Sequence, residues 1–435
     1  MLLNTKQKTV KTQFVHNRKN TRLKKTLPVF LIIGLLAAVT FFSLAANLKQ
    51  NPYLKGELPY PVIPPPYSDE ELGFFEQSIA GLLEQHRFNG TALLARKGMI
   101  IYRGAHGYAD FRNRTPLAVN TPFQLASITK TFTATAVLLL HEEGLIDIDD
   151  TLVQHIPEFP YPRMTIRQML NHTSGIQNYM WLVERHWIQK HKPGNEEVLQ
   201  LFVSHKRPVN FAAGSRFEYS NTGYAFLALL VERVSGQSFA DFMEERIFQP
   251  LEMHDTFVYS PDEPLRMSAN RAMGFRPGRS NFIFNPDLQH DAVYGDKGLY
   301  STVDDLYKWD QAINRRALLK SATWQMAFEP TVVQNRDTIE YGLGWRLHGF
   351  LDGRVVHHPG RWNGFRTSFK RFVDGRATLI LLANNGQSIA GLVEDMQNLI
   401  FSQEIMLMDE QTTEDPDMSE NEDPSFNGLP IPPSE

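Results

Sequence analysis

Apolar residues follow two patterns along this chain, one typical of strands and one of buried helices. Short runs rich in β-branched and aliphatic residues lie towards both ends of its central part, at residues 91–95, 99–102, 354–357, 365–372 and 377–382. Turn signals separate them, with Lys97-Gly98 between the first two and Asp374-Gly375 between the last two. We therefore predict an antiparallel sheet that is built from both ends of one domain.

In the middle of the chain, from about residue 130 to residue 330, apolar residues recur with the spacing that is typical of helices. Residues 132–140 are apolar on nearly every side, and a helix of that kind is buried in a protein core. Residues 225–234 form a similar run, and residues 389–402 are expected to form a closing helix across the sheet. The pattern predicts an α+β fold over residues 70–405, with helices flanking the sheet and a mostly helical lobe.

The N-terminal segment has the composition of a membrane anchor. Residues 1–26 contain Lys and Arg but no acidic residue, and residues 27–48 are uncharged and mostly apolar. About 20 apolar residues suffice to span a bilayer as a helix, and a basic flank stays on the cytoplasmic side. We predict a single-pass membrane protein with a basic cytoplasmic N-terminus and its main domain outside the cytoplasm. A cleaved secretory signal, with small residues at Ser43-Leu44-Ala45, is the alternative.

Two further segments have biased compositions. Residues 49–69 are rich in proline, which favours an extended, semi-rigid linker. Residues 406–435 are dense in Asp and Glu and contain neither Lys nor Arg. Such a segment cannot bury enough apolar surface to fold, so we predict an acidic disordered tail.

Overall composition narrows the classes of function. The 435 residues carry a formal net charge of −4 and include no cysteine. This small charge gives no indication of a nucleic-acid surface, and the lack of cysteine excludes disulfides and thiolate chemistry. We expect neither a metal nor a cofactor, and the sequence does not determine the oligomeric state.

The strongest candidate for chemistry is the stretch Ser127-Ile-Thr-Lys130, at the start of the predicted buried helix. Residues at positions i and i+3 share a helix face, with Cβ atoms roughly 5–6 Å apart, so the lysine amine can reach the serine oxygen. A serine hydroxyl needs an adjacent base to become a nucleophile. A lysine surrounded by apolar residues holds its charge poorly and can be that base.

Two further motifs follow in order, Tyr219-Ser-Asn221 in a turn-rich stretch and His358-Pro-Gly360 after a predicted strand. Together with Ser-x-x-Lys they resemble the serine β-lactamase and penicillin-binding-protein superfamily, in its class C-like branch of D-aminopeptidases, DD-peptidases and serine esterases. The resemblance covers about residues 70–403 and implies a β-lactamase/transpeptidase-like fold. Other stretches that are similar to the family are Met169–Gly175, Val234–Ser238, Gly298–Asp305 and Tyr341–Trp345.

The resemblance also implies catalytic roles for three residues. Ser127 would be the nucleophile of a covalent acyl-enzyme, and Lys130 would take its proton. Tyr219 would share the acid/base work, and we expect a lowered pKa for it because nearby positive charge favours the phenolate.

Four more residues are expected to bind the substrate or its oxyanion. Asn221 would position a substrate amide or the lysine, and His358 would donate to the substrate or to the tyrosine. Gly360 would let the strand backbone approach the substrate closely. By resemblance, the backbone N–H of Arg361 would join that of Ser127 in an oxyanion hole.

One position departs from the family pattern. Relatives that recognise a substrate carboxylate usually carry a hydroxyl residue before the glycine, where this chain has Pro359, which has neither hydroxyl nor N–H. Arg361 is an alternative anchor for a carboxylate. This departure favours esterase or peptidase activity over β-lactamase activity. His172, in His-Thr-Ser-Gly, and His357 are interpreted as structural.

The sequence thus predicts a membrane-anchored acyl-serine hydrolase that acts on a small-molecule or peptide-like acyl substrate. It contains neither a Gly-x-Ser-x-Gly nor a His-Glu-x-x-His motif, so α/β-hydrolase and zincin mechanisms lack support. Three alternatives stay open: a true β-lactamase, a catalytically idle relative that binds or senses envelope ligands, and a scaffold that acts through its tail.

Overall fold

The computed structural model describes residues 67–260, 270–349, 355–373 and 376–402. The predicted membrane span at residues 27–48, most of the linker and the acidic tail at residues 406–435 lie outside these ranges and stay predictions. Among the helices of the described ranges, none is both long and apolar enough to cross a bilayer.

The β-structure is concentrated towards the two ends of the described domain, with short strands between them. In chain order the strands are β1 (Gly90–Arg96), β2 (Met99–His106), β3 (Tyr108–Asp110), β4 (Thr115–Pro116), β5 (Phe123–Gln124), β6 (Phe257–Val258), β7 (Phe275–Pro277), β8 (Phe282–Phe284), β9 (Leu299–Ser301), β10 (Thr331–Val332), β11 (Thr338–Ile339), β12 (Arg346–His348), β13 (Val355–Trp362), β14 (Phe365–Phe372) and β15 (Ala377–Ala383).

The main sheet is antiparallel and has the strand order β12-β13-β14-β15-β1-β2. The two ends of the domain meet in the β1–β15 pair, where Gly90 lies opposite Ala383 and Arg96 opposite Ala377. The predicted sheet from both chain ends is therefore confirmed. Short strands β5, β9 and β6 form a separate sheet beside the helical lobe.

The predicted hairpins are present, and one strand is longer than expected. Lys97 and Gly98 have φ values of 49° and 87°, the conformation that tight hairpin turns need. The turn at residues 374–375 lies outside the described residues. Strand β13 continues through the His-Pro-Gly motif, beyond the strand that the sequence predicted. The described part of β12 pairs only with Val355–His357, so Pro359 lies on an edge, where proline is tolerated.

Helices fill the middle of the chain and close its end. They are α1 (Asp69–Gln85), α2 (Thr129–Glu142), α3 (Ile166–Leu170), α4 (Tyr179–His186), α5 (Asn195–His205), α6 (Asn221–Ser235), α7 (Phe239–Met243), α8 (Val303–Asn314), α9 (Ser321–Ala327) and α10 (Ala390–Ile400), with a 3₁₀ turn at Ala126–Ile128 and further short turns at Leu152–Gln154, Glu244–Phe248 and Gln249–Leu251.

The sheet separates two hydrophobic clusters. On one face α1 and α10 pack around residues such as Phe75, Leu381 and Met396, which confirms the closing helix. On the other face lies the larger core of the helical lobe, with the almost wholly buried helices α2 and α6. Phe132 of α2 stacks on Trp309 of α8 at 4.4 Å between ring centroids. The apolar pattern of the α2 and α6 sequences therefore reflects the burial of these helices on nearly every side.

Candidate active site

Ser127 lies in the 3₁₀ turn immediately before α2. The N-cap of α2 is Ile128, and no side chain caps the helix, so Ser127 is not used as a helix cap. The preceding residue, Ala126, has a φ of 51°, a conformation that costs a non-glycine residue on the order of 1–2 kcal/mol. This strained turn leaves the Ser127 side chain partly exposed at the edge of the core.

Strand β13 holds this turn in place through Gly360. A Cβ atom at Gly360 would lie 2.0 Å from Thr367 Oγ1 and 2.3 Å from the carbonyl oxygen of Leu125. Thr367 Oγ1 also donates a hydrogen bond to that carbonyl at 2.8 Å. We expected this glycine to admit the substrate. In the structure its close approach is to the backbone just before Ser127.

The amine of Lys130 is surrounded by three oxygens. It lies 3.3 Å from Ser127 Oγ, 2.8 Å from Asn221 Oδ1 and 2.7 Å from the main-chain oxygen of Asp296. The side chain is fully buried, with 0 % exposure. The sequence-predicted pair of hydroxyl and amine is thus in contact, and Asn221 lies against the lysine amine, the contact that one of its two expected roles requires.

Burial controls the charge of this lysine. Removal from water lowers the pKa of Lys130 to about 7, while the negative charge of Asp296 opposes the change and the positive charge of Arg346 adds to it. The expectation of a dry lysine that holds its charge poorly is confirmed. Near neutral pH the amine exists in both charge states, as a general base requires.

The Tyr219-Ser-Asn221 loop leads directly into α6. Ser220 caps the helix by accepting a hydrogen bond from the N–H of Gly223 at 3.3 Å. Asn221 is therefore the first residue of α6, and this fixes the position of its amide beside Lys130. The conformation of the loop is that of an ordinary helix start. Lys130, which Asn221 contacts, lies on a helix that is distant in the sequence.

Tyr219 lies beside the lysine, but its acidity differs from our expectation. The Lys130 amine is 4.9 Å from the Tyr219 ring centroid. The Tyr219 hydroxyl is buried without a well-formed hydrogen bond to the described residues. The nearby Ser127 hydroxyl and Arg346 charge favour the phenolate, yet burial outweighs them and raises the pKa of Tyr219 above its usual range. The predicted lowering is wrong because burying a phenolate costs more than these neighbours return.

A directed chain of hydrogen bonds lies behind Tyr219. The backbone N–H of Ser220 donates to His172 Nδ1 at 3.1 Å, so the neutral His172 ring carries its proton on Nε2, 2.9 Å from the Tyr341 hydroxyl. The Pro359 carbonyl lies 2.8 Å from His358 Nδ1 and accepts a hydrogen bond from its N–H. His358 Nε2 is then an acceptor for the Tyr341 hydroxyl at 3.3 Å.

His172 and His358, the two histidines of this hydrogen-bond network, are buried and uncharged. Burial, aided by the charge of Lys130, lowers the pKa of His172 and of His358 well below the usual range. We expected His358 to donate to the substrate or to Tyr219. Its ring is 1 % exposed, both nitrogens are occupied, and its centroid lies 6.2 Å from that of Tyr219. His358 therefore supports the site from behind, as does His172, whose centroid is 4.3 Å from that of Tyr219.

Arg361 lies one residue beyond Gly360, on the edge of β13 that the described part of β12 does not reach. Its side chain is exposed, and it stands opposite Arg366 in the ladder with β14. The structure thus places its backbone near the Ser127 turn, while its guanidinium faces a like charge across the ladder.

The structure also brings residues to the site that the sequence did not single out. Arg346, the first residue of β12, has its Cζ atom 5.4 Å from the Tyr219 ring centroid. Asp296 supplies the carbonyl for Lys130 from a turn between Gly295 and Gly298, which have φ values of 97° and 100°. The flanking glycines were the only local signal, and they mark a tight turn without indicating its neighbours.

The arrangement supports covalent acyl chemistry, in which a hydroxyl nucleophile is paired with a buried amine of near-neutral pKa. In the described part of the chain, no group of three or more His, Asp or Glu side chains could hold a metal ion.

The sequence profile of the β-lactamase family matches residues 75–400. The chain belongs to the β-lactamase family. It is a serine hydrolase of this family, and the resemblance drawn from its three motifs is confirmed.

Similar proteins include enzymes and penicillin-binding proteins. A penicillin-binding protein of Bacillus subtilis is 34 % identical over 337 residues, which covers 74 % of each chain. A D-aminopeptidase of Brucella anthropi is 25 % identical over 301 residues, or 68 % of this chain and 56 % of the relative. The structure of a penicillin-binding protein from Bacillus halodurans, 26 % identical, matches with a TM-score of 0.66 over 74 % of this chain and 98 % of that one.

Proposed function

We propose that this β-lactamase-family protein is a membrane-anchored acyl-serine hydrolase of the esterase or D-amino-acid peptidase type. Ser127 is its nucleophile, and Lys130 and Tyr219 share the acid/base work. The observation that carries this proposal is the 3.3 Å contact between the Lys130 amine and Ser127 Oγ, where burial brings the pKa of Lys130 to about 7. A base with this pKa can take and return a proton at neutral pH.

The partners of Lys130 favour its role as a base. A neutral amine has two N–H groups and one lone pair. Asn221 Oδ1 and the Asp296 carbonyl can only accept, and they are the closer partners, at 2.8 Å and 2.7 Å. The two N–H groups therefore point at these oxygens, and the lone pair is left for the proton of Ser127.

In the acylation step Lys130 takes the Ser127 proton while Oγ bonds to the acyl carbonyl carbon. The negative charge on the carbonyl oxygen is stabilised by the backbone N–H groups of Ser127 and Arg361. Tyr219 keeps its proton at neutral pH, since burial raises its pKa. It passes that proton to the leaving oxygen or nitrogen and regains one from Lys130, and an ester of Ser127 remains.

Water completes the reaction. The neutral Lys130 accepts a proton from water by way of Tyr219, and the resulting hydroxide attacks the ester carbonyl. The bond to Ser127 Oγ breaks, and Oγ recovers its proton from Lys130. The sum is hydrolysis of one acyl bond, with the enzyme unchanged and no cofactor consumed.

Two observations support an ester or a D-amino-acid amide as substrate. Pro359 stands where carboxylate-recognising relatives have a hydroxyl residue, so the substrate does not depend on a hydroxyl there. One of the similar proteins carries the name D-aminopeptidase. The chain spans about half the length of that relative, so shared substrate preference is part of the proposal.

Reaction of the full-length chain with a fluorophosphonate tests the nucleophile. We expect an adduct on Ser127 by peptide mapping, and its loss in Ser127→Ala and in Lys130→Ala. Ser204→Ala, which removes an exposed hydroxyl of α5, and Lys308→Ala, which removes a half-exposed amine, serve as matched controls. An unchanged adduct level in Ser127→Ala would overturn the proposal.

A substrate series separates this proposal from its alternatives. An aryl ester, a D-alanine anilide and a fluorescent penicillin are offered in parallel to the wild-type chain and to Ser127→Ala. Turnover of the ester or the anilide supports the proposal. Turnover of the penicillin alone indicates a β-lactamase, and stable labelling without any turnover indicates an idle binding protein.

The anchor is tested on membranes that carry the expressed chain. Residues 27–48 are expected to keep the protein in the pellet after alkaline carbonate extraction, with the catalytic domain accessible to protease only from the extracytoplasmic side. An intact mass that corresponds to a chain beginning after Ala45 would instead establish a cleaved signal.

A further inference from the structure

The carbonyl that holds Lys130 belongs to a residue whose side chain is itself buried and charged. Asp296 presents its main-chain oxygen to the lysine at 2.7 Å, and its side chain is 1 % exposed. The carboxylate accepts a hydrogen bond from the Tyr179 hydroxyl at 3.3 Å and lies 3.5 Å from Lys297 Nζ. A second buried lysine thus stands on the far side of the same aspartate.

Lys297 is almost entirely enclosed by protein groups. Its amine donates to the Tyr179 hydroxyl at 2.6 Å and to the Val293 carbonyl at 3.1 Å. It also lies 4.9 Å from the ring centroid of Trp362, at the end of β13. Tyr179 has 0 % exposure and Lys297 has 2 %. Because neither of them is accessible to a substrate, any effect on the reaction must be indirect, and the Asp296 carbonyl connects them with Lys130.

Stability alone does not account for this ion pair. The cost of removing two charges from water offsets much of their attraction, and an apolar pair of similar volume is often at least as stable. A buried charge does, however, act strongly on its neighbours, since little water screens it. The carboxylate of Asp296 raises the pKa of Lys130 against the effect of burial. Burial also lowers the pKa of Lys297; the charges of Asp296 and Asp291 oppose that change, and the charge of Lys130 adds to it. The two lysines therefore share the field of Asp296, while Lys297 also lies in that of Asp291.

We propose that Asp296, Lys297 and Tyr179 form a buried positioning cluster for the catalytic base. The cluster fixes the Asp296 carbonyl against Lys130, and the charge balance between Asp296 and Lys297 sets the pH at which Lys130 becomes able to take a proton. This inference rests on the proposed function, in which Lys130 activates Ser127.

The remaining charged or titratable groups around Lys130 come from several elements. They are Arg346 of β12, Tyr219 and Tyr224 at the start of α6, His172 after α3 and His358 of β13. Near neutral pH the tyrosines are protonated, the histidines are neutral and the guanidinium is charged. They keep a constant charge where the lysine titrates, so a shift caused by the cluster can be distinguished from theirs.

Two substitutions should move the pH dependence in opposite directions. Lys297→Met leaves the carboxylate of Asp296 without its counter-cation, so Lys130 keeps its proton to a higher pH. Asp296→Asn removes the negative charge but keeps the main-chain carbonyl, so Lys130 loses its proton at a lower pH. The acid limb of the pH profile is the range in which the rate of reaction at Ser127 rises with pH. Each substitution is expected to shift this limb by on the order of one pH unit. In the double variant the two charges are removed together, and the limb returns towards its wild-type position.

The measurement is the rate of fluorophosphonate labelling of Ser127 in the full-length chain as a function of pH. Lys308→Met is the matched control, because Lys308 also pairs with an aspartate, Asp305, at 2.8 Å, on α8. Circular dichroism and thermal melting verify the fold of every variant. Opposite shifts with restoration in the double variant support the cluster, since a loss of packing alone would not reverse sign.

Unmoved limbs, or limbs that move in the same direction, would overturn the inference. If Lys297→Met does not fold, Asp296→Asn decides alone: a downward shift supports the cluster, and no shift overturns it. These outcomes are separate from a failure of the proposed function, which would appear as undiminished labelling in Ser127→Ala.

Discussion

The amine of Lys130 lies 2.8 Å from Asn221 Oδ1, closer than its 3.3 Å separation from Ser127 Oγ. The first residue of α6 thus orients the lysine together with the Asp296 carbonyl, which lies 2.7 Å from the amine. In the proposed function the amide of Asn221 positions the base, and its removal should affect the reaction more than the fold.

We expect Asn221→Ala to lower kcat/KM for an aryl ester by about 10–100-fold, since a misplaced catalytic group can cost as much. The thermal midpoint should change little. Asn335→Ala removes an exposed amide and should leave both quantities unchanged. Steady-state kinetics that show full activity in Asn221→Ala would contradict the role of this amide.

Lys130 should make stability depend on pH in a defined direction. Its pKa is about 7 in the folded chain and about 10.4 in the unfolded chain. Between these values the unfolded chain binds more protons, so rising pH stabilises the folded state. Compared with Lys130→Met, the wild-type chain should gain about 1.4 kcal/mol in the free energy of unfolding for each pH unit above 7. Urea titrations at several pH values measure this difference, and a constant difference would exclude the assigned pKa.

The Tyr341 hydroxyl connects two buried histidines, His172 at 2.9 Å and His358 at 3.3 Å. Tyr341→Phe leaves His172 Nε2 and His358 Nε2 without this partner, so we expect the free energy of unfolding to fall by about 1–3 kcal/mol. Activity should fall as well, because His172 packs on Tyr219. Tyr307→Phe is the matched control, since it removes a hydroxyl that donates to the Gly98 carbonyl at 2.8 Å away from the site. It should alter stability modestly and activity not at all.

Replacement of Gly360 should impair the site because there is no room for a side chain at this position. Gly360→Ala places a methyl group against Thr367 Oγ1 and the Leu125 carbonyl, so β13 and the Ser127 turn must separate. We expect the rate of fluorophosphonate labelling to fall at least tenfold while the protein still folds. Gly73→Ala on α1, where nothing lies within 4 Å of the new methyl group, should instead stabilise the chain by about 0.5–1 kcal/mol. A Gly360→Ala chain that labels at the wild-type rate would refute the packing role.

The spacing of residues along the sequence predicted those features of the site that form within one helix or one loop. The helical period brings Ser127 and Lys130 together, and a helix start places Asn221 at the end of its loop. The family resemblance added Tyr219 and the His-x-Gly strand. Asp296, Lys297 and Arg346 were missed because no periodicity or motif connects them with Ser127.

The sequence alone determined the fold class, the antiparallel sheet from both ends of the domain and the order of the three motifs, because alternation, helical periodicity and turn residues are local properties. The tertiary structure decided the protonation states. It shows a tyrosine that keeps its proton, a histidine whose nitrogens are both occupied and a lysine held by oxygens 91 and 166 positions away. Burial and electrostatic fields are sums over neighbours from distant segments, so the charge of each group is fixed only once those segments have packed.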